Sequence, residues 1–133
     1  MKPLISVIIP AYNAQKYIRQ AVESVIQQTT DADIEVLVID DGSTDSTKEI
    51  VFEIQEECRS RKMDHREICY CPNEKNMGVA ESRNNGIRKA GGAYIAFLDA
   101  DDWWETDKIE KQLQALEASN AALCATAREL VRA

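Results

Sequence analysis

Three stretches of the chain are apolar with almost no polar interruption: Leu4 to Pro10, Ile34 to Ile39 and Tyr94 to Leu98. Continuous rather than alternating hydrophobicity predicts strands covered on both faces, the habit of parallel sheets held between helices. Ile68 to Cys71 and Leu123 to Ala127 are weaker strand candidates. Between these runs the period changes. Ile18, Ala21, Val22, Val25 and Ile26 fall at i, i+3, i+4, i+7 and i+8, on one face of a helix. Thr47, Ile50, Val51, Ile54 and Cys58 form a second such face, after a Ser43–Ser46 segment rich in N-cap residues. A helix from Val79 to Ala90 carries the stripe Ala80, Arg83, Ile87 and Ala90. Ile109, Leu113 and Leu116 mark a later one, with Thr106 as its expected cap. Strand and helix alternate throughout, which predicts an α/β fold: a Rossmann-like, mostly parallel sheet flanked by helices in three layers, α/β/α. With no internal repeat, low-complexity segment or linker, residues 1–133 read as one domain.

That order puts every polar cluster at a strand's carboxyl end. Ala11-Tyr12-Asn13 follows the first strand and Asp40-Asp41-Gly42-Ser43 the second; Pro72-Asn73 and Asp99 to Asp102 follow the third and fourth. Open α/β sheets bind ligands at this edge.

Composition narrows the ligand. The net charge of −7 argues against nucleic acid as the main partner, because phosphate backbones demand a basic face. No apolar run approaches the ~20 residues of a membrane span, and the N-terminus lacks a signal-peptide pattern. A cytoplasmic location is expected, extending to the cytoplasmic membrane face. Four cysteines, Cys58, Cys69, Cys71 and Cys124, have no zinc-knuckle spacing; reduced thiols are expected, with Cys69 and Cys124 as small core hydrophobes.

The acids closing the fourth strand are the main chemical signal. Asp99 and Asp101 are two apart, so an extended backbone puts both on one face, roughly 7 Å apart. Carboxylates packed this closely repel, and a cation between them relieves the repulsion. Asp102 is expected to serve the helix N-terminus that follows. A dinucleotide-binding reading fails for want of Gly-x-Gly-x-x-Gly after the first strand, and no Walker A loop is present. An EF-hand count from Asp99 to Glu110 fails because Trp104 stands where the turn demands glycine. Arg83, on an otherwise apolar stripe, needs an anionic partner: Asp41 or Asp99 as a structural pair, or a ligand's phosphates.

In this order, Ser6-Val7-Ile8-Ile9-Pro10-Ala11-Tyr12-Asn13, Val38-Ile39-Asp40-Asp41-Gly42-Ser43-Thr44-Asp45, Asn76-Met77-Gly78-Val79-Ala80, Arg83-Asn84-Asn85-Gly86 and Tyr94 to Asp102 resemble the family 2 glycosyltransferases of the GT-A fold, from about Ile5 to Ala127. The resemblance implies a nucleotide-sugar site of Pro10, Ala11, Tyr12, Asn13, Asp41, Arg83, Asp99 and Ala100. Ala11 and Tyr12 would flank the base, and Asp41 would accept the imide N–H of uracil or thymine. Asp99 would address ribose and diphosphate, with Arg83 nearby, while Asp101, with Asp99, would hold Mn²⁺ or Mg²⁺. Asp40, Asp45 and Asn84 are expected to hold loops and helix ends. The implied reaction is inverting transfer of a sugar from a UDP-type donor to an acceptor hydroxyl, on a glycan or a lipid-linked acceptor. In the family the catalytic base lies well after the Asp-x-Asp segment. Here Asp107, Glu110 and Glu117 are expected to face solvent, leaving Glu129 as the remaining candidate. The catalytic base is therefore expected beyond Ala133. The expectation is a donor-binding part, truncated before the acceptor region and silent alone; the alternative is a non-catalytic nucleotide-sugar-binding module.

Overall fold

A computed structural model describes residues 4–119 and 130–132. Strands β1 (Leu4–Ala11), β2 (Asp33–Asp40), β3 (Arg66–Pro72), β4 (Tyr94–Phe97) and β5 (Leu130–Arg132) alternate with helices α1 (Ile18–Ile26), α2 (Thr47–Ser60), α3 (Val79–Lys89) and α4 (Lys108–Ser119). The sheet order is β3-β2-β1-β4-β5. The first four strands run parallel, and β5 lies antiparallel to β4. The three strong apolar runs and the Ile68–Cys71 run are therefore strands. The expected strand Leu123–Ala127, Cys124, Glu129 and Ala133 lie outside the described residues.

Most of the core fills one side of the sheet. Ile5, Val7 and Ile9 of β1 join Ile34, Val36 and Val38 of β2 and Tyr94 and Ala96 of β4 against α1, α2 and α4. At about 25 cal/mol per Å² of apolar area, such burial is the main source of stability. Ile8, Leu37 and Ile39 face the other way in a smaller cluster with Ala90. Cys69, expected in the core, is only partly buried against this second cluster. That cluster lies under α3, which completes the three layers.

Two expectations about the helices need correction. The inward face of α3 is Ser82 and Gly86, not Ala80, Arg83 and Ile87: Ala80 is exposed, Ile87 is 44% exposed and Arg83 is half-buried. The reason is close approach. A Cβ on Gly86 would stand 2.5 Å from Cγ2 of Ile8, so only glycine lets the helix lie this near the strand. Thr106 does not cap α4, which begins two residues later; its carbonyl accepts the Thr29 N–H at 2.8 Å. Asp102 accepts the Trp103 N–H at 2.9 Å.

The sheet order positions the site. From β1 the chain steps outward to β2 and β3, then crosses back to β4 on the opposite side. The connections leaving β1 and β4 thus diverge, and the crevice outside their carboxyl ends is where such sheets take ligands.

Candidate functional site

The loop after β1 and the loop after β2 are clasped together by side chains that stand in for backbone partners. The Asn13 N–H donates to Ser43 Oγ at 2.8 Å, while the Thr44 N–H returns a bond to Asn13 Oδ1 at 2.8 Å. Next along, the Ala14 N–H reaches Thr47 Oγ1 at 2.9 Å and the Gln15 N–H reaches Asp45 Oδ2 at 3.1 Å. Asp45 Oδ1 also accepts the Thr47 N–H at 3.0 Å and the Thr47 hydroxyl at 2.6 Å. Burial pushes the Asp45 carboxyl up, but these donors outweigh it and hold the group below the usual carboxylate range. Asn13 itself sits at φ +50, a left-handed conformation that asparagine tolerates better than most residues. Tyr12, between the strand and this clasp, is 56% exposed.

Behind this edge lies the Asp41 hub. The carboxylate is 6% exposed, and its backbone N–H donates to the Ala11 carbonyl at 2.8 Å. Oδ1 accepts the Met77 N–H at 2.7 Å and Asn73 Nδ2 at 2.8 Å, while Oδ2 accepts the Gly78 N–H at 2.9 Å. Burial again opposes ionisation. The Met77, Asn73, Gly78 and Ser82 hydrogen bonds prevail, and Asp41 stays charged below the ordinary carboxylate range. These bonds pin the Asn73–Gly78 segment and so aim the start of α3. Gly78, which opens that helix, has φ 90 and ψ 165, a conformation reserved for glycine. Asp40 plays a similar part, accepting the Ser43 N–H at 2.9 Å and the Tyr70 hydroxyl. Tyr70 is pushed well above its ordinary range by burial and by this carboxylate.

A cleft of about 450 Å³ opens at the crossover, lined by Pro10, Tyr12, Asn13, Ala14, Tyr17, Val79, Arg83, Asp99, Ala100 and Asp101. Pro10, Tyr12, Asn13, Arg83, Asp99, Ala100 and Asp101 thus meet, as expected. Ala11 and Asp41 do not line it; both are buried behind its wall. Tyr17 and Val79 were missed, although each is an exposed apolar residue beside a polar cluster, 49% and 55% exposed. Arg83 Nη2 donates to Asp99 Oδ1 at 3.0 Å, with the two side chains 41% and 53% exposed. So exposed a pair contributes about 0–1 kcal/mol, and an incoming anion can compete for the guanidinium at little cost.

Asp99 and Asp101 offer hard oxygen donors. Among the described residues, no group of three or more His, Cys, Asp or Glu side chains forms a metal cage. Two carboxylates alone do not make a closed metal cage; ions such as Mg²⁺ are commonly bound by one or two carboxylates completed by substrate phosphates.

The model of glycosyl transferase family 2 matches residues 6–131. The chain belongs to glycosyltransferase family 2. A candidate teichuronic acid biosynthesis glycosyltransferase of Bacillus subtilis, TuaG, is 40% identical over 131 residues, which is 98% of this chain and 48% of TuaG. Crystal structures of S. aureus TarS 1–349 with UDP and with UDP-GlcNAc are 29% identical with a TM-score of 0.76; the match covers 92% of this chain and 34% and 33% of those TarS 1–349 chains. A mannosyltransferase from Pyrobaculum calidifontis, in complex with GDP-Man and Mn²⁺, is 26% identical with a TM-score of 0.72, over 87% of this chain and 33% of that one. The fold is that of these solved structures, and the chain spans less than half the length of TuaG. No helix among the described residues is long and apolar enough to cross a membrane.

Proposed function

We propose that this chain binds the donor of a glycosyltransferase: a UDP-type nucleotide sugar held with Mn²⁺ or Mg²⁺, for inverting transfer to an acceptor hydroxyl. The observation that carries the reading is the convergence of Tyr12, Arg83, Asp99 and Asp101 on one cleft at the topological crossover. Tyr12 offers a ring to the base and Arg83 a guanidinium to the diphosphate. Asp99 and Asp101 hold the metal, which when bound neutralises the charge that grows on the departing diphosphate. TarS, with UDP and UDP-GlcNAc, supports a uridine donor, whereas the mannosyltransferase carries GDP-Man; the chain's own argument for uracil is Asp41. An ionised carboxylate only accepts, so it suits an imide N–H and disfavours the N3 acceptor of cytosine. Oδ2 accepts the Gly78 N–H at 2.9 Å, so the carboxylate is already held in an accepting role.

Among the described residues, Asp99 and Asp101 are the carboxylates lining the cleft, and both are assigned to donor and metal. Deprotonation of the acceptor therefore falls to a group outside the described lining of this cleft. Titration calorimetry tests the reading. UDP should bind with Mn²⁺ or Mg²⁺ and far more weakly with EDTA, and Asp101→Ala should remove most of that difference. Equal UDP affinity with and without metal refutes the metal assignment; preference for GDP or CDP refutes the base assignment.

A further inference from the structure

Asp41 is not held by the loop alone. A row of amides runs from it across the start of α3 to the surface: Asn73 Nδ2 donates to Asp41 Oδ1 at 2.8 Å and to Ser82 Oγ at 2.9 Å, and Asn85 Nδ2 donates to Asn73 Oδ1 at 2.9 Å. Arg88 Nη2 then donates to Asn85 Oδ1. The direction of this row follows from chemistry. An ionised carboxylate accepts only, so Asn73 must turn its NH₂ toward Asp41. Its oxygen then faces Asn85, which must answer with NH₂ and so present its own oxygen outward. Arg88, with donors only, matches that oxygen. Each donor points toward Asp41, and flipping any one amide sets like against like.

We propose that Asn85 is a positioning residue for base selection: by holding the Asn73 amide against Asp41, it keeps that carboxylate aimed. The proposal rests on the reading of Asp41 as the group that meets the base. Asn85 does not line the cleft, and it acts through Asn73. Without its donor, Asn73 Oδ1 loses its partner and the amide is held only from its Nδ2 side, by Asp41 and Ser82, so its bond to Asp41 Oδ1 is less firmly fixed. In the group's charge balance the Asn73 bond stands beside the backbone donors of Met77 and Gly78. Hydrogen bonds within such a row polarise one another, so the effect of the outer amide reaches the inner carboxylate.

The test compares UDP and CDP affinities, with Mn²⁺, for the wild type, Asn85→Asp and Asn85→Ala. Asn85→Asp preserves shape but turns the inner donor into an acceptor; Asn85→Ala deletes it with a better helix former. The wild type is measured first: if it does not prefer UDP to CDP, the base reading itself has failed and the proposal falls with it. Given that preference, the ratio of UDP to CDP affinity should fall by about tenfold in both variants, the scale of one charge-assisted hydrogen bond. The added charge of Asn85→Asp weakens both anions alike, so the ratio is the readout. A ratio unchanged in both variants, whatever happens to thermal stability, means that Asn85 only supports the helix, and overturns the proposal.

Discussion

Gly86 shows how one missing side chain sets the spacing of an element. Its helix lies so near β1 that a Cβ would meet Ile8 Cγ2 at 2.5 Å and Cγ1 at 3.0 Å, and Ile8 is fully buried with nowhere to go. Alanine raises helix propensity by about 1 kcal/mol, but overpacking a core costs about 1–3 kcal/mol, so the clash wins. Gly86→Ala is expected to destabilise the protein and to displace α3, weakening UDP as well, because Val79 and Arg83 of that helix line the cleft. Chemical denaturation of the variant, alongside a UDP titration, checks both effects. Unchanged stability would mean that α3 can withdraw from the sheet without loss.

Among the elements, the clasp between the first two loops matters most. Asp45 accepts from the Gln15 and Thr47 backbones and from the Thr47 hydroxyl, serving both the loop after β1 and the first turn of α2. Asp45→Ala should cost about 0.5–2 kcal/mol, as for loss of a capping side chain, and should loosen Tyr12 and Asn13. The pH dependence has a definite sign. Asp41 and Asp45 both have folded-state pKa values held below the ordinary 3.8. The unfolded chain therefore binds protons first, and the stability these groups contribute is full above 3.8 and lost as pH falls through their folded values. Unfolding free energies at neutral and strongly acidic pH should differ less in Asp45→Ala than in the wild type. An equal pH dependence in both would contradict the assignment. Arg66 binds other elements together, donating to the carbonyls of Ile26, Gln28, Thr30 and Ala32 and so closing the end of α1.

For the molecule as a whole, the question is whether the donor site suffices for transfer. Past Asp102, Asp107 pairs with Lys111 at 2.9 Å, Glu110 accepts from Thr29, and Glu117 is exposed; none lines the cleft. Glu129 lies outside the described residues, so the expectation of a base beyond Ala133 rests on the acids that are described. With no base lining the donor cleft among the described residues, general base catalysis of about 10²–10⁴ has no source there. The 133-residue chain, given UDP-sugars, Mn²⁺ and mixed acceptors, is expected to form no transfer product, with slow donor hydrolysis as the upper limit. Mass spectrometry of the mixture decides, since a glycosylated acceptor would show that the base is already present.

Much of this was legible without coordinates. Continuous apolar runs such as Leu4 to Pro10 specify strands buried on both faces, because burial on two sides leaves no place for alternation. The strict period of Ile18, Ala21, Val22, Val25 and Ile26 specifies a helix with one face inward, and all five are buried. Since polar clusters followed each parallel strand, the edge of the site followed too, and with it Tyr12, Arg83, Asp99 and Asp101. The arrangement around α3 was decided only by tertiary structure. Its period suggested an apolar stripe, but the face that meets the sheet is Ser82 and Gly86, chosen for small size rather than hydrophobicity, and pattern reading weighs only the latter. The burial of Asp41 was equally hidden, because its carboxylate is gripped by the Asn73–Gly78 segment folding back onto it. Local sequence dictates which face of an element avoids water, but which polar group finds which partner is settled only when distant loops are brought within hydrogen-bonding distance.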